Sequence, residues 1–176
     1  DVPLGCRTRI FNTNLNGDVI WDNTYNNVLG YNFSYDPMLA VIAGGEYVVA
    51  SQIENEKTYT KDIRIFTIDQ NGKMKWDRKW VTDTDKCVIG RVMSNDGGYV
   101  LAGHSPEGIG RDYTWVIKLS NNGQLVWNQK ITREKPYFNR ITPSDIIKTS
   151  SGNYLIVGEY QDDYTNSVFL LNCQIN

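Results

Sequence analysis

Few residues of this chain carry chemistry, and their spacing limits what they can do. The sequence holds one histidine, His104, and three cysteines, Cys6, Cys87 and Cys173. A thiolate nucleophile needs a base beside it, so Cys87 and His104 form the pair to consider. Cys87 falls in one apolar segment and His104 at the end of the next, with no third group to orient the imidazole. A strand-end histidine and a buried thiol describe the two better than a catalytic dyad. The cysteine spacing excludes a CxxC metal or redox motif. Cys6 and Cys173 lie near opposite ends of the chain. Two readings stay open: a disulfide between them with Cys87 left free, or three reduced and partly buried thiols.

Acids close in sequence, Asp83 with Asp85 and Asp162 with Asp163, could offer oxygens to a hard cation such as Ca²⁺. Their spacing is that of ordinary surface acids, so no cofactor is expected, with Ca²⁺ as the one candidate. "SNDGG" (94–98) carries an acid and glycines, but its counterparts elsewhere in the chain read "AGG" and "SSG". A turn explains it better than a metal loop. No G-x-S-x-G motif occurs, and nothing marks a pair of converging carboxylates. The chain reads as a protein without an enzymatic centre, the remaining alternative being an enzyme with its active residues in a central channel.

Three polar segments are more suggestive: "NEKTYTKD" (55–62), "GIGRDYTW" (108–115) and "YQDDYTNS" (160–167). Tyr59, Tyr113 and Tyr164 recur in them before a threonine, two of them preceded by Asp112 and Asp163. Each would offer an aromatic face, a hydroxyl and, in two cases, a carboxylate. That combination suits a sugar, and repetition of weak sites raises avidity. A protein partner fits nearly as well. The plainer alternative is that these residues pack each loop onto its neighbour. Asn32-Phe33-Ser34 is one acceptor tripeptide for N-glycosylation.

The elements that would position these residues are written three times. Trp21, Trp76 and Trp127 stand 55 and 51 residues apart, and Gly17, Gly72 and Gly123 keep the same steps. "GGEYVVAS" (44–51), "DGGYVLAG" (96–103) and "SGNYLIVG" (151–158) form a second marker, and Tyr-Thr a third. Such periodicity is the signature of a repeat architecture. Each unit reads as four short strands. An apolar strand one leads through a glycine turn into strand two, where Ser51, Gly103 and Gly158 mark a place for a small residue. After the polar loop, strand three enters Asn-Gly, expected as a type I′ hairpin turn, and strand four carries the Trp as a packing anchor. No convincing amphipathic helix is found, since Pro136 and Pro143 interrupt the one charged candidate.

"DYTWVIKLSNNGQLVWNQKI" (112–131), with "SNDGGYVLAGHS" before it and "TSSGNYLIVGEY" after, resembles the β-propeller repeats of secreted and surface proteins, mostly bacterial. The resemblance implies blades of four strands and an extracellular or cell-surface setting, and it carries no catalytic residues. One repeat domain over 1–176 is expected, with a partial unit at 7–26, units at 36–80 and 87–131, and a partial unit at 144–175. The count is about 13 strands, with strand three present four times. Three blades make a tight ring. The alternatives are a six-bladed ring from two chains, a piece of a longer propeller, a compact three-bladed form, or a β-trefoil. Unpaired edges at the partial units predict self-association or docking into a larger assembly.

Composition agrees with this reading. Hydrophobic residues make up 40% and charged residues 22% of the 176, with eleven Tyr, five Trp and five Phe, a balance that favours packed strands. The net charge of −2 comes without a basic stripe, so nucleic acid is a poor partner. No apolar run approaches the ~20 residues that span a bilayer. A start at "DVPLGC" is consistent with a processed or trimmed chain.

Overall fold

The computed structural model describes residues 7–26, 28–42, 44–80, 88–95, 97–106, 112–131, 140–161 and 165–173. Among them every regular element is a β-strand, and every pairing is antiparallel. Sheet I pairs β1 (Thr8–Thr13) with β2 (Val19–Tyr25). Sheet II runs β3 (Tyr31–Ile42), β4 (Glu46–Asn55), β5 (Lys61–Ile68), β6 (Met74–Trp80). Sheet III repeats that meander with β7 (Val88–Asn95), β8 (Gly98–Pro106), β9 (Asp112–Ser120) and β10 (Leu125–Ile131). Sheet IV stops at three strands, β11 (Arg140–Lys148), β12 (Tyr154–Gln161) and β13 (Asn166–Cys173). The all-β class and the repeated strand units of the sequence are therefore present. No helix among the described residues is long and apolar enough to cross a membrane.

The chain divides into two compact units, Asp1–Asp85 with sheets I and II and Lys86–Asn176 with sheets III and IV. Strand one is longer than expected in sheets II and IV. It begins at Tyr31 and Arg140, because bulges after Tyr31, Tyr35 and Pro143 carry the ladder past residues that would break it. A proline with no N–H is tolerated at such an irregularity.

The hairpin turns differ from the type I′ expectation. That turn needs two consecutive left-handed residues, yet Asn16, Asn71 and Asn122 do not have positive φ; only the following glycines do, at +88°, +76° and +77°. In each turn the glycine N–H returns to the carbonyl three residues back, as Gly72 does to Asp69 at 3.0 Å. The residue opening the turn explains the choice. Asp69 Oδ1 accepts from the backbone N–H of Asn71 and of Lys73, both at 2.9 Å. Asn14 Oδ1 does the same for Asn16 and Asp18. A short polar side chain that caps its own turn stabilises a right-handed turn ending in one left-handed glycine.

Each unit buries its core between two sheets. In the first, Ile10, Trp21 and Tyr25 of sheet I cover Tyr47, Val49, Phe66 and Ile68 of sheet II. In the second, Val100, Ala102, Val116, Trp127 and Ile131 of sheet III cover Ile146, Tyr154, Ile156, Leu171 and Cys173 of sheet IV. The strand registers show that this is one junction built twice. Trp21 faces Asn12 as Trp127 faces Lys118, and Phe66 faces Val49 as Leu171 faces Ile156. Trp127 stacks at a tilt on Tyr154, ring centroids 6.2 Å apart. Full burial of a large apolar side chain contributes roughly 1.5–3 kcal/mol, and the partly buried Trp127 a share of that. The Trp therefore anchors one sheet on the next, as its repetition suggested.

Sheet I is fastened to the β5–β6 turn at Gly72. Trp21 Nε1 donates to the Gln70 carbonyl at 2.8 Å, and the Tyr25 hydroxyl donates to the Gly72 carbonyl at 2.5 Å. A Cβ on Gly72 would stand 2.7 Å from the Trp21 ring, at a φ that side chains avoid. Gly152 has a similar φ with open space around it. Gly72→Ala is expected to cost about 2–4 kcal/mol, from backbone strain plus overpacking, and Gly152→Ala about 1 kcal/mol. Urea denaturation of the two variants measures the difference.

Candidate functional site

The two copies of the junction differ at one point, and that difference opens a cleft. Tyr25 faces Thr8 at the end of β2, and Ile131 faces Thr114 at the end of β10. In the first unit the Tyr25 ring fills the junction, 5.2 Å from Phe66, with both residues buried. In the second the equivalents are Ile131 and Leu171, two smaller side chains, and among the described residues sheet IV has three strands. The result is a cleft of about 430 Å³ lined by Thr114, Ile131, Ile141, Tyr160, Phe169 and Leu171, with Val168 and Leu170 at β13.

Its walls are aliphatic and aromatic. Thr114 and Tyr160 bring its polar groups; Thr114 is buried in β9, and its Oγ1, which has almost no accessible surface, has no hydrogen-bond partner among the described residues. A buried hydroxyl left unpaired costs on the order of 1–3 kcal/mol. No family model matches the chain, and no curated protein does. The geometry therefore carries the functional reading.

The residues singled out from sequence do not gather in this cleft. Tyr59 is exposed in the turn after β4, in left-handed conformation at φ +57°, its N–H bonded to the Asn55 carbonyl at 2.9 Å. Tyr113 is buried in β9 with the Lys130 ammonium 4.0 Å from its ring centre. The two are not equivalent in register. Arg64 faces Ser51 and Trp115 faces Gly103, and Tyr59 precedes Arg64 by five residues whereas Tyr113 precedes Trp115 by two. Tyr59 lies in the connection ahead of β5 and Tyr113 inside β9, so a recurring dipeptide does not recur in place. Asp112 opens β9 opposite Pro106. Asp163 and Tyr164 lie outside the described residues, as do Cys6, Cys87, Asp83, Asp85 and Asp162. Asn32 falls in the bulge between Tyr31 and Phe33 of β3. His104 is buried in β8, paired in the ladder with Thr114 and Val88. Among the described residues no three metal-ligating side chains come together.

The small-residue position of strand two has a physical cause in sheet IV. A Cβ on Gly158 would stand 2.5 Å from the Phe169 ring. Phe169 lies over that glycine and forms one wall of the cleft.

Sequence reading missed the cleft, although a signal was present. The strand-four ends read Tyr25, Trp80 and Ile131 in register, so an aromatic is replaced by an aliphatic in one copy. It also missed a repeated ion pair. Arg64 grips Asp77 across β5–β6, Nη2 to Oδ2 at 2.7 Å and Nε to Oδ1 at 3.1 Å, with its guanidinium 4.7 Å over Phe66. Arg9 and Asp22 make the same pair in sheet I, with Nε to Oδ1 at 2.8 Å. Hydrogen bonding to Arg9 holds the Asp22 carboxyl below its ordinary range. Next to the Arg64 pair, Tyr31 donates to the buried carboxylate of Asp62 and receives the Lys79 ammonium at 3.0 Å.

These charges are architectural. Truncating Asp77 to alanine leaves the buried Arg64 unpaired and is expected to cost about 2–4 kcal/mol. Asp22→Ala, in an exposed pair, should leave the urea midpoint unchanged. Burial also pushes the Cys173 thiol up, so little thiolate forms near neutral pH. Peptide mapping after iodoacetamide treatment should show Cys173 labelled slowly in native protein and rapidly in denaturant.

Proposed function

We propose that the protein is a non-enzymatic recognition module which takes an aromatic side chain of a partner polypeptide into the cleft between sheets III and IV. One observation carries this reading: the first unit fills the corresponding space with the ring of Tyr25 on Phe66, whereas the second leaves it open beside Ile131 and Leu171. A phenol or similar ring would restore the packing that the junction has elsewhere. A volume of about 430 Å³ lies in the range of pre-formed ligand sites. Ile131, Ile141 and Leu171 favour a flat apolar group over a sugar, whose many hydroxyls would be left without partners. The extracellular or cell-surface setting implied by the repeats suits a binding role of this kind.

The simplest probe of the cleft is p-cresol, a tyrosine side chain without its backbone. Titration followed by amide chemical shifts should move Thr114, Ile131 and Phe169 first. Ile131→Tyr, which supplies the missing ring from within, should abolish those shifts while keeping the fold. Absence of shifts at these residues, or equal shifts in the variant, would overturn the reading. A lectin-like alternative rests on the exposed Tyr59, and a glycan array tests it separately.

A second reading, a subunit of a larger assembly, is favoured by a different observation. Phe11 of sheet I and Val168 and Leu170 of sheet IV are large apolar residues exposed to solvent.

A further inference from the structure

The two internal junctions share one asymmetry. One sheet contributes a covering face, centred on Val116 in sheet III and Ile10 in sheet I. The next contributes a covered face, centred on Phe66 in sheet II and Leu171 in sheet IV. Register defines the same positions in every sheet, so exposure can be compared place by place.

On the covering face, the strand-three positions are Thr8 and Ile10, Ile63 and Ile65, Thr114 and Val116, and Val168 and Leu170. Ile65 and Val116 are 0% exposed, and Leu170 is 69% exposed. Val168 is 78% exposed where Ile63 and Thr114 are each 1%. Sheet IV thus carries a covering face that covers nothing. On the covered face, Phe11 occupies the position of Phe66, Ile117 and Leu171. Phe66 is 0% exposed and Phe11 61%. The ion pairs repeat the contrast. The Arg64 side chain is 2% exposed, and that of Arg9, at the same place in sheet I, is 68% exposed. Sheet I therefore carries a covered face with nothing over it.

We propose that the chain associates with a second copy of itself head to tail, the outer face of sheet IV (Val168, Leu170) seating on the outer face of sheet I (Phe11, Arg9–Asp22) of the next copy. The two exposed surfaces are opposite halves of a junction that each copy already builds twice, which is the reason to assign a second copy as the occupant. The contact joins two different surfaces, so it closes into a ring or continues as a filament. It does not depend on the aromatic-binding reading: Phe11 and Arg9 line no part of the cleft, and Val168 and Leu170, which border it at β13, expose their side chains on the face of the strand opposite Phe169 and Leu171.

Two variants test it. Leu170→Glu puts a charge on the covering face and Phe11→Glu on the covered face, both at solvent-exposed places that leave the cores intact. Sedimentation velocity at increasing concentration should show wild-type species heavier than one chain and each variant as a single chain. An equimolar mixture of the variants should give a two-chain species and nothing larger, since each keeps one competent face. Circular dichroism checks the fold, and Val168→Glu replaces Leu170→Glu if that variant unfolds. A wild type that stays at one-chain mass, as a protein waiting for a different partner would, overturns the proposal. So does a mixture that stays monomeric, or a variant that still associates alone.

Discussion

Everything in this chain depends on one contact, the tryptophan of a fourth strand laid against the aromatic and aliphatic face of the following sheet. A two- or four-stranded meander has two faces, and neither is stable against water alone. Trp21 over sheet II and Trp127 over sheet IV convert pairs of marginal sheets into cores. The glycine turns and the Asp69 and Asn14 caps hold the fourth strand in the register that brings the indole there. Gly72 shows how closely the parts are fitted, with Trp21, Asn23 and Tyr25 all converging on one turn.

Repetition makes each departure from the pattern informative. Where the junction carries Tyr25 and Phe66 it is filled, and where it carries Ile131 and Leu171 it is open. Where the arginine–aspartate pair lies in sheet II it is buried, and where it lies in sheet I it faces water. A residue type alone would not say which of these is functional. The same place in another copy supplies the reference state, so one molecule serves as its own control.

Much of the architecture was legible in the sequence because it depends on residues with strong local preferences. The three Trp, the Gly-bearing turns and the Tyr of strand two announce strands, hairpins and their order, and the structure has them there. The turn type was misjudged because Asn-Gly fits two hairpin geometries, and the deciding group is the polar side chain two positions earlier. The tyrosine set was legible as a pattern of letters but not as a pattern in space. A dipeptide such as Tyr113-Thr114 stands inside a strand in one copy and in the connection ahead of it in another, and the letters do not mark where the ladder begins. The cleft was the hardest to read, since it arises from missing volume, and the absence of a ring leaves only a quiet Ile131 to mark it.

The described turns joining strands one to two or three to four carry glycines in the left-handed region, such as Gly17 in sheet I, Gly72 in sheet II, Gly123 in sheet III and Gly152 in sheet IV. Within sheet II those turns lie at one end of the strands, and the β4–β5 connection leaves from the other. Such a sheet has a rigid margin, where backbone geometry forbids most substitutions, and a permissive margin, where residues can be added without disturbing the ladder. New specificities could be written into the second margin while the first keeps the frame.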